Sequence, residues 1–283
     1  MSSDALPVEH PPGRDVLEAF GITGLPVPLP GGTTGRCYRA GELVLKPDQD
    51  EQVVAWMAQL ADTVTDRAGF RITQPVVSRS GRWTVSGWAA TTFMEGEHEH
   101  GRWSEMLRAG QALHFAVEHL PKPDFLDART DRWAVGDRAA WGELEVKVPD
   151  ELRGEVAALS SMIAPVDARS QVVHSDLCGN TLVHEHLPPA IIDFSAMFRP
   201  AAYAEAILVS DAVIWESAPL SLVEGWTLGE LEHQMLIRAC LFRLYTAAVG
   251  WLDRPERLTI IQEHHAPLTE WLRTRAARRL HQL

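Results

Sequence analysis

Asp176 and Asn180 lie four residues apart in His174-Ser175-Asp176-Leu177-Cys178-Gly179-Asn180, and Asp193 closes the run Ile191-Ile192-Asp193 before Phe194. Oxygen donors of this kind suit Mg²⁺, which keeps several waters and takes one or two protein ligands together with substrate phosphates. A carboxylate beside such a metal can accept the proton of a hydroxyl. Phosphoryl transfer needs both, because charge develops on the phosphate oxygens while the attacking hydroxyl loses its proton. Asp176, in a loop after Gln171-Val172-Val173, is the candidate base; its competing structural role is an Asx turn. Asn180 and Asp193 are the candidate metal ligands. The competing roles are a turn or cap for Asn180 and a strand-end turn for Asp193. Asp193 is the stronger of the two, since an ionised acid directly after Ile191-Ile192 needs a reason to sit beside buried surface. His174 reads as backbone support, and Cys178 as a small residue, since a nucleophilic thiol needs a depressed pKa.

Three lysines occur, Lys46, Lys122 and Lys147, in a chain that otherwise writes positive charge as Arg. Lys46 ends Leu43-Val44-Leu45-Lys46 and offers phosphate a compact point charge. Upstream, Gly31-Gly32-Thr33-Thr34-Gly35 can let backbone N–H groups approach phosphates, although on its own an ordinary hairpin turn is the better reading and no Lys-Ser/Thr follows as in a P-loop. Glu51, opening the next helix, can pair with Lys46 and hold it extended; the rival is an acid favoured by the helix dipole. The tract Glu97-His98-Glu99-His100 offers transition-metal ligand types but reads as a solvated loop.

These residues must be held by elements that the sequence also marks. Residues 13–20 read as a short helix stopped by Gly21. Runs 36–39 and 42–46 joined by Ala40-Gly41 read as a hairpin. Val53, Trp56, Met57 and Leu60 mark one face of a helix over 49–64. Further β-like runs are 74–78, 82–86 and 89–94, the first two joined by Ser80-Gly81. Thr181-Leu182-Val183 and Ala190-Ile191-Ile192 read as strands flanking the turn 184–189, which brings Asn180 and Asp193 toward one pocket. Beyond residue 95 helices dominate: 103–119, 151–163, 201–216, 228–249, 255–264 and 267–281. The expectation is an α+β, two-lobe architecture with a cleft, lobe 1–95 a small antiparallel sheet and lobe 96–283 mainly helical.

Composition narrows the partners. A formal net charge of −12 argues against nucleic acid and anionic membrane. No apolar run is long enough to span a membrane, and residues 1–12 have no signal-peptide core. Three widely spaced cysteines read as reduced thiols of a cytoplasmic protein. The acidic balance suits a cationic small molecule, and tryptophans such as Trp103, Trp133, Trp141, Trp215 and Trp226 are candidate stacking surfaces for a sugar or flat ring, although most read as packing.

The order of parts — Gly-rich turn, Lys46, Glu51, linker Thr92-Phe93-Met94-Glu95-Gly96, His174-x-Asp176, Asn180, Ile192-Asp193-Phe194 — resembles the aminoglycoside phosphotransferase and choline kinase-like family, which has the protein-kinase-like fold. The likeness runs from about Gly31 to Trp215 and is most specific over Val173–Phe194. It implies an ATP-dependent phosphotransferase acting on a hydroxyl of a small molecule, with Asp176 as base and Asn180 and Asp193 on Mg²⁺. Lys46 would contact the α/β-phosphates of ATP with Glu51 in support, Gly31 and Gly32 would lie over the nucleotide, and adenine would lie against backbone at Thr92, Phe93 and Met94. The chain departs from the family in three places. Asp176 and Asn180 are four apart where five is usual, Ser175 and Cys178 replace the usual Gly and His, and Ser195–Pro200 lacks the usual Gly-Asp-Pro. Two other readings stay open on the residues alone. One is a catalytically degenerate, nucleotide-binding or regulatory relative; the other is a metal-dependent hydrolase using His174, Asp176 and His184 or His186.

Overall fold

The computed structural model describes residues 11–29, 37–64 and 69–280. The chain divides into two compact units: the described residues up to His98 together with Gly179–Asp193, and Glu99–Cys178 together with Phe194–Leu283.

The first unit opens with α1 (Arg14–Ala19), ended by Gly21 at φ +73°. β1 (Val27–Pro28), β2 (Tyr38–Ala40) and β3 (Leu43–Lys46) follow, then α2 (Glu51–Thr63), β4 (Arg71–Ile72), β5 (Pro75–Val76), β6 (Thr84–Val85) and β7 (Trp88–Thr92). The sheet order is β1-β2-β3-β7-β5, all neighbours antiparallel, with β6 also on β7. The hairpin β2–β3 turns at Gly41, whose φ of +63° suits a residue without Cβ. β5 and β6 both take β7 as their strand partner, and the Ser80-Gly81 turn is closed by Ser78 N–H donating to Arg82 O at 2.8 Å. A core of Val16, Phe20, Ala40, Leu45 and Ala90 fastens α1 to the sheet. α2 starts at Asp50, whose carboxylate accepts from Gln52 N (2.8 Å) and Val53 N (3.2 Å). Its buried stripe is Val54, Ala58, Leu60 and Ala61. Val53, Trp56 and Met57, expected on that stripe, are half-buried; the packing turns small residues inward and leaves the bulky ones at the border.

The second unit holds α3 (Trp103–Val117), α4 (Phe125–Ala128), α5 (Arg132–Ala140), α6 (Asp150–Ser160) and β8 (Gln171–His174). The chain then supplies β9 (Thr181–Leu182) and β10 (Ala190–Ile191) to the first unit, where they pair antiparallel and β10 runs parallel to β4. It returns with β11 (Ala196–Arg199), α7 (Ala201–Glu216), α8 (Leu220–Trp226), α9 (Glu230–Gly250) and α10 (Pro255–Leu280). β11 pairs antiparallel with β8. α7 and α9 are buried on nearly every side, as their lack of a polar face requires. The fold is the expected α+β with a small antiparallel sheet and a larger helical part. β1, β4, β11, α4, α5 and α8 carry no clear periodicity and were not expected. The two helices expected at 255–264 and 267–281 are one, with Pro267 inside it. Pro267 removes one i→i−4 bond, yet Leu258, Ile261, Leu268 and Leu272 on both sides of it are buried, and their continuous burial outweighs that loss.

Candidate functional site

In the first unit the β9–β10 register sets Thr181 opposite Ile191. The ladder continues one step, with Ile192 N–H donating to Asn180 O at 2.9 Å. Asn180 and Asp193 therefore emerge at the same end of one hairpin, as the strand pattern predicts. Asp193 sits at φ +46°, a left-handed conformation that Asp tolerates better than most residues. Its Oδ1 accepts from Lys46 Nζ at 2.5 Å, across 147 residues of sequence. The two side chains are 34% (Lys46) and 52% (Asp193) exposed, so water and small polar ligands can reach both.

Glu51 does not pair with Lys46. Its carboxylate accepts from Thr84 Oγ1 (2.6 Å), Thr84 N (2.8 Å), Trp83 N (2.9 Å) and Arg82 Nε (3.2 Å). These bonds, first that from the Thr84 hydroxyl, hold its pKa at about 2. Backbone N–H groups of the segment entering β6 are presented to the first turn of α2, and Lys46 has Asp193 instead. Gly31 and Gly32 lie outside the described residues. At the linker, Thr92 N–H donates to Gln74 O and Phe93 N–H to Glu42 O at 2.9 and 2.8 Å. The Arg39 guanidinium stands 3.5 Å above the centre of the Phe93 ring. Thr92 thus ends the sheet ladder, and Met94 follows it in irregular backbone.

In the second unit the loop after β8 is anchored from beneath. His174 is fully buried; its backbone N–H donates to His114 Nε2 on α3, and its own Nδ1 accepts from Asp176 N–H, both at 3.1 Å. Burial, with the neighbouring His174 ring, pushes His114 down to about 3, so its ring is a neutral acceptor. Leu177 beds on α3 at Gly110, where a Cβ would come within 2.5 Å of Leu177 Cδ1. Cys178 is buried and its thiol is pushed up by burial and by Asp211, which makes it a packing residue. Asp176, 43% exposed, accepts from Arg243 Nη2 on α9 at 2.9 Å, and Arg243 is clamped by Asp211 on α7. Neither Arg243 nor Asp211 was expected from sequence. The available signal was a charge inside an apolar helical run, Leu241-Phe242-Arg243-Leu244 and Ile207-Leu208-Val209-Ser210-Asp211-Ala212-Val213, since such a charge is buried only with a partner.

Other candidates resolve into structure. Trp141 packs on Tyr203, Trp133 on Phe242, and Trp103 and Trp226 donate to Glu216 and Glu205. His100 lies 3.5 Å from Glu216, and Glu99 pairs with Arg102. A cavity of about 330 Å³ in the second unit is lined by Lys122, Arg129, Asp137, Glu143 and Arg199 among others and includes none of the candidate site residues. Its charges are spent on each other, Arg199 on Asp137 and Glu143, Lys122 on Asp127. Among the described residues no three His, Cys, Asp or Glu are grouped to hold a metal ion. One carboxylate and one amide do fit Mg²⁺ arriving with phosphate oxygens. No helix of the described residues is long and apolar enough to cross a membrane.

No protein-family model matches the sequence, and no curated protein matches it significantly. Solved structures do match. An aminoglycoside phosphotransferase from Alicyclobacillus acidocaldarius is 14% identical with a TM-score of 0.61, covering 97% of each chain. A spectinomycin phosphotransferase solved with ADP and spectinomycin is 15% identical, TM-score 0.54, covering 88% of this chain and 92% of its own. A choline/ethanolamine kinase family protein from Mesorhizobium loti is 18% identical, TM-score 0.52, covering 91% and 88%. Identities this low establish shared architecture, and the chain accordingly has the two-lobe α+β, kinase-like fold seen in aminoglycoside phosphotransferases and choline kinases.

Proposed function

We propose that the protein is an ATP-dependent phosphotransferase whose acceptor is a hydroxyl of a small molecule, acting in the cytoplasm. The observation that carries this reading is the Lys46–Asp193 pair, with Asn180 at the same hairpin end as Asp193: a strand-end ammonium and a strand-end carboxylate meet from segments 147 residues apart. An ammonium and a hard oxygen donor set are what a metal-bound polyphosphate requires. In this reading Asp193 and Asn180 hold Mg²⁺, which when bound neutralises charge on the phosphates. Lys46 leaves Asp193 for the α/β-phosphates. Backbone at Thr92, Phe93 and Met94, and Gly31 and Gly32, frame the nucleotide, while Glu51 braces the sheet from which Lys46 projects. Asp176 accepts the acceptor's proton as the acceptor oxygen bonds to the γ-phosphorus and the bond from that phosphorus to the β,γ-bridging oxygen breaks, leaving ADP. Positioning and electrostatics do most of the work in such transfers.

Calorimetric titration with MgATP tests the site. Asp193→Ala should weaken binding about tenfold or more, the worth of a lost charge-assisted contact; equal binding by both proteins would remove the site. A screen of hydroxyl compounds, amines and sugars among them, should show ATP turnover that disappears in Asp176→Asn. Tight MgATP binding with no turnover across the screen would instead favour a nucleotide-binding regulator, the reading that the shortened Asp176–Asn180 spacing suggests.

A further inference from the structure

Asp176 is held by more than its own loop. Its Oδ1 accepts from Arg243 Nη2 at 2.9 Å, and Arg243 comes from α9, 67 residues further along the chain. The same guanidinium meets Asp211 on α7 twice: Nε donates to Oδ1 at 2.8 Å, and Nη2 donates to Oδ2. The Arg243 side chain is 10% exposed and that of Asp211 5%. The Phe242 and Trp133 rings lie 4.9 and 5.6 Å from the guanidinium carbon. Burial pulls the Arg243 pKa down, but Asp211 and Asp176 outweigh it and leave it above its ordinary value.

The arrangement is asymmetric. A buried guanidinium needs a counter-charge, and the bidentate Asp211 supplies it. The further bond to Asp176 adds little to that requirement, but it matters to Asp176. Two torsions orient an aspartate carboxylate, and a planar fork fixed by a second carboxylate grips one oxygen from a constant direction. With Oδ1 held, the direction of Oδ2 is set by the covalent geometry. We infer that Arg243, made rigid by Asp211, is a positioning residue that aims the Asp176 carboxylate at the acceptor hydroxyl; this rests on the phosphotransferase reading above. Lysine cannot replace it, because a point charge on a flexible stem cannot serve both carboxylates in fixed directions.

The test uses the full chain with MgATP and water as the acceptor, following ADP release, for wild type, Arg243→Lys, Asp211→Asn, Asp176→Asn and the double variant Arg243→Lys/Asp176→Asn. Circular dichroism melts confirm folding. Arg243→Lys should lower kcat about 10- to 100-fold, the scale of a roughly 1 Å misplacement of a catalytic group. KM and the calorimetric Kd for MgATP should stay within about twofold, since Arg243 acts through Asp176 alone, and the double variant should fall no lower than Asp176→Asn. A merely structural Arg243 would move Kd with kcat, or its loss would multiply with that of Asp176; either result overturns the inference. Should Arg243→Lys fail to fold, Asp211→Asn keeps the cation and removes its brace. A folded Asp211→Asn protein with wild-type kcat overturns the inference equally. Wild-type turnover in Asp176→Asn would sink the phosphotransferase reading itself, whereas a silent Asp176→Asn beside a fully active Arg243→Lys would sink only the role of Arg243.

Discussion

At Gly136 α5 approaches α9 closely enough to exclude a side chain. A Cβ there would lie 2.8 Å from Thr246 N and 3.0 Å from Phe242 O, both backbone atoms of α9. Comfortable contacts are about 3.5 Å, so a methyl group requires the helices to part by several tenths of an ångström. The Thr246 hydroxyl would be nearer still, at 2.4 Å, and turning it away leaves the two main-chain contacts in place. Alanine gains about 1 kcal/mol of helix propensity over glycine, while overpacking a core costs about 1–3 kcal/mol, here toward the upper end. Gly136→Ala should therefore destabilise by about 1–2 kcal/mol, a fall in Tm of about 3–6 °C for a chain of this size. Gly154, exposed on α6 with nothing within 4 Å of its added Cβ, is the control. Gly154→Ala should raise stability by about 0.5–1 kcal/mol, since only propensity and unfolded-state entropy change. Thermal unfolding of both variants beside wild type reads the two signs in one experiment. Because α9 carries Arg243, Gly136→Ala should also lose turnover. A Gly136→Ala protein at least as stable as wild type would refute the close-approach argument.

Three further outcomes follow from the same geometry. His265 is fully buried on α10, and burial pushes its imidazole down to about 4. Its folded pKa lies below the unfolded value near 6.5, so the unfolded chain binds more protons between the two; stability is intact above that window and is lost as pH falls through it. The drop in Tm from pH 7 to pH 5 should accordingly be smaller in His265→Gln than in wild type, and an equal drop would count against the buried neutral ring. Lys46→Met removes an ion pair that is one-third to one-half exposed, worth about 0–1 kcal/mol. Its Tm should move by no more than about 3 °C while MgATP affinity falls about tenfold or more; a large loss of stability would recast Lys46 as structural. Glu51→Ala should speed hydrogen exchange at the Trp83 and Thr84 amides, which it accepts from, with less loss of MgATP affinity than Lys46→Met; unchanged exchange would contradict the observed bonding.

Local pattern carried much of this protein. The hairpin of β9 and β10 was legible because apolar triplets bounded by turn residues can pair only one way, and that pairing alone brings Asn180 to Asp193. Lys46 stood out as a rare residue type at a strand end, and the long helices by apolar content. The split expected at Pro267 failed because a missing hydrogen bond is a local cost and continuous burial along α10 is a tertiary gain. Which charge meets which was beyond sequence. Lys46 chose Asp193 over Glu51 because β3 and the β9–β10 hairpin converge, and Glu51 was taken by amides of the β6 segment. Arg243 is one arginine among many until α7, α9 and the loop after β8 meet around it. Periodicity reports which face an element buries, a property of neighbours in sequence; electrostatic partnership depends on distances that only the packed chain sets.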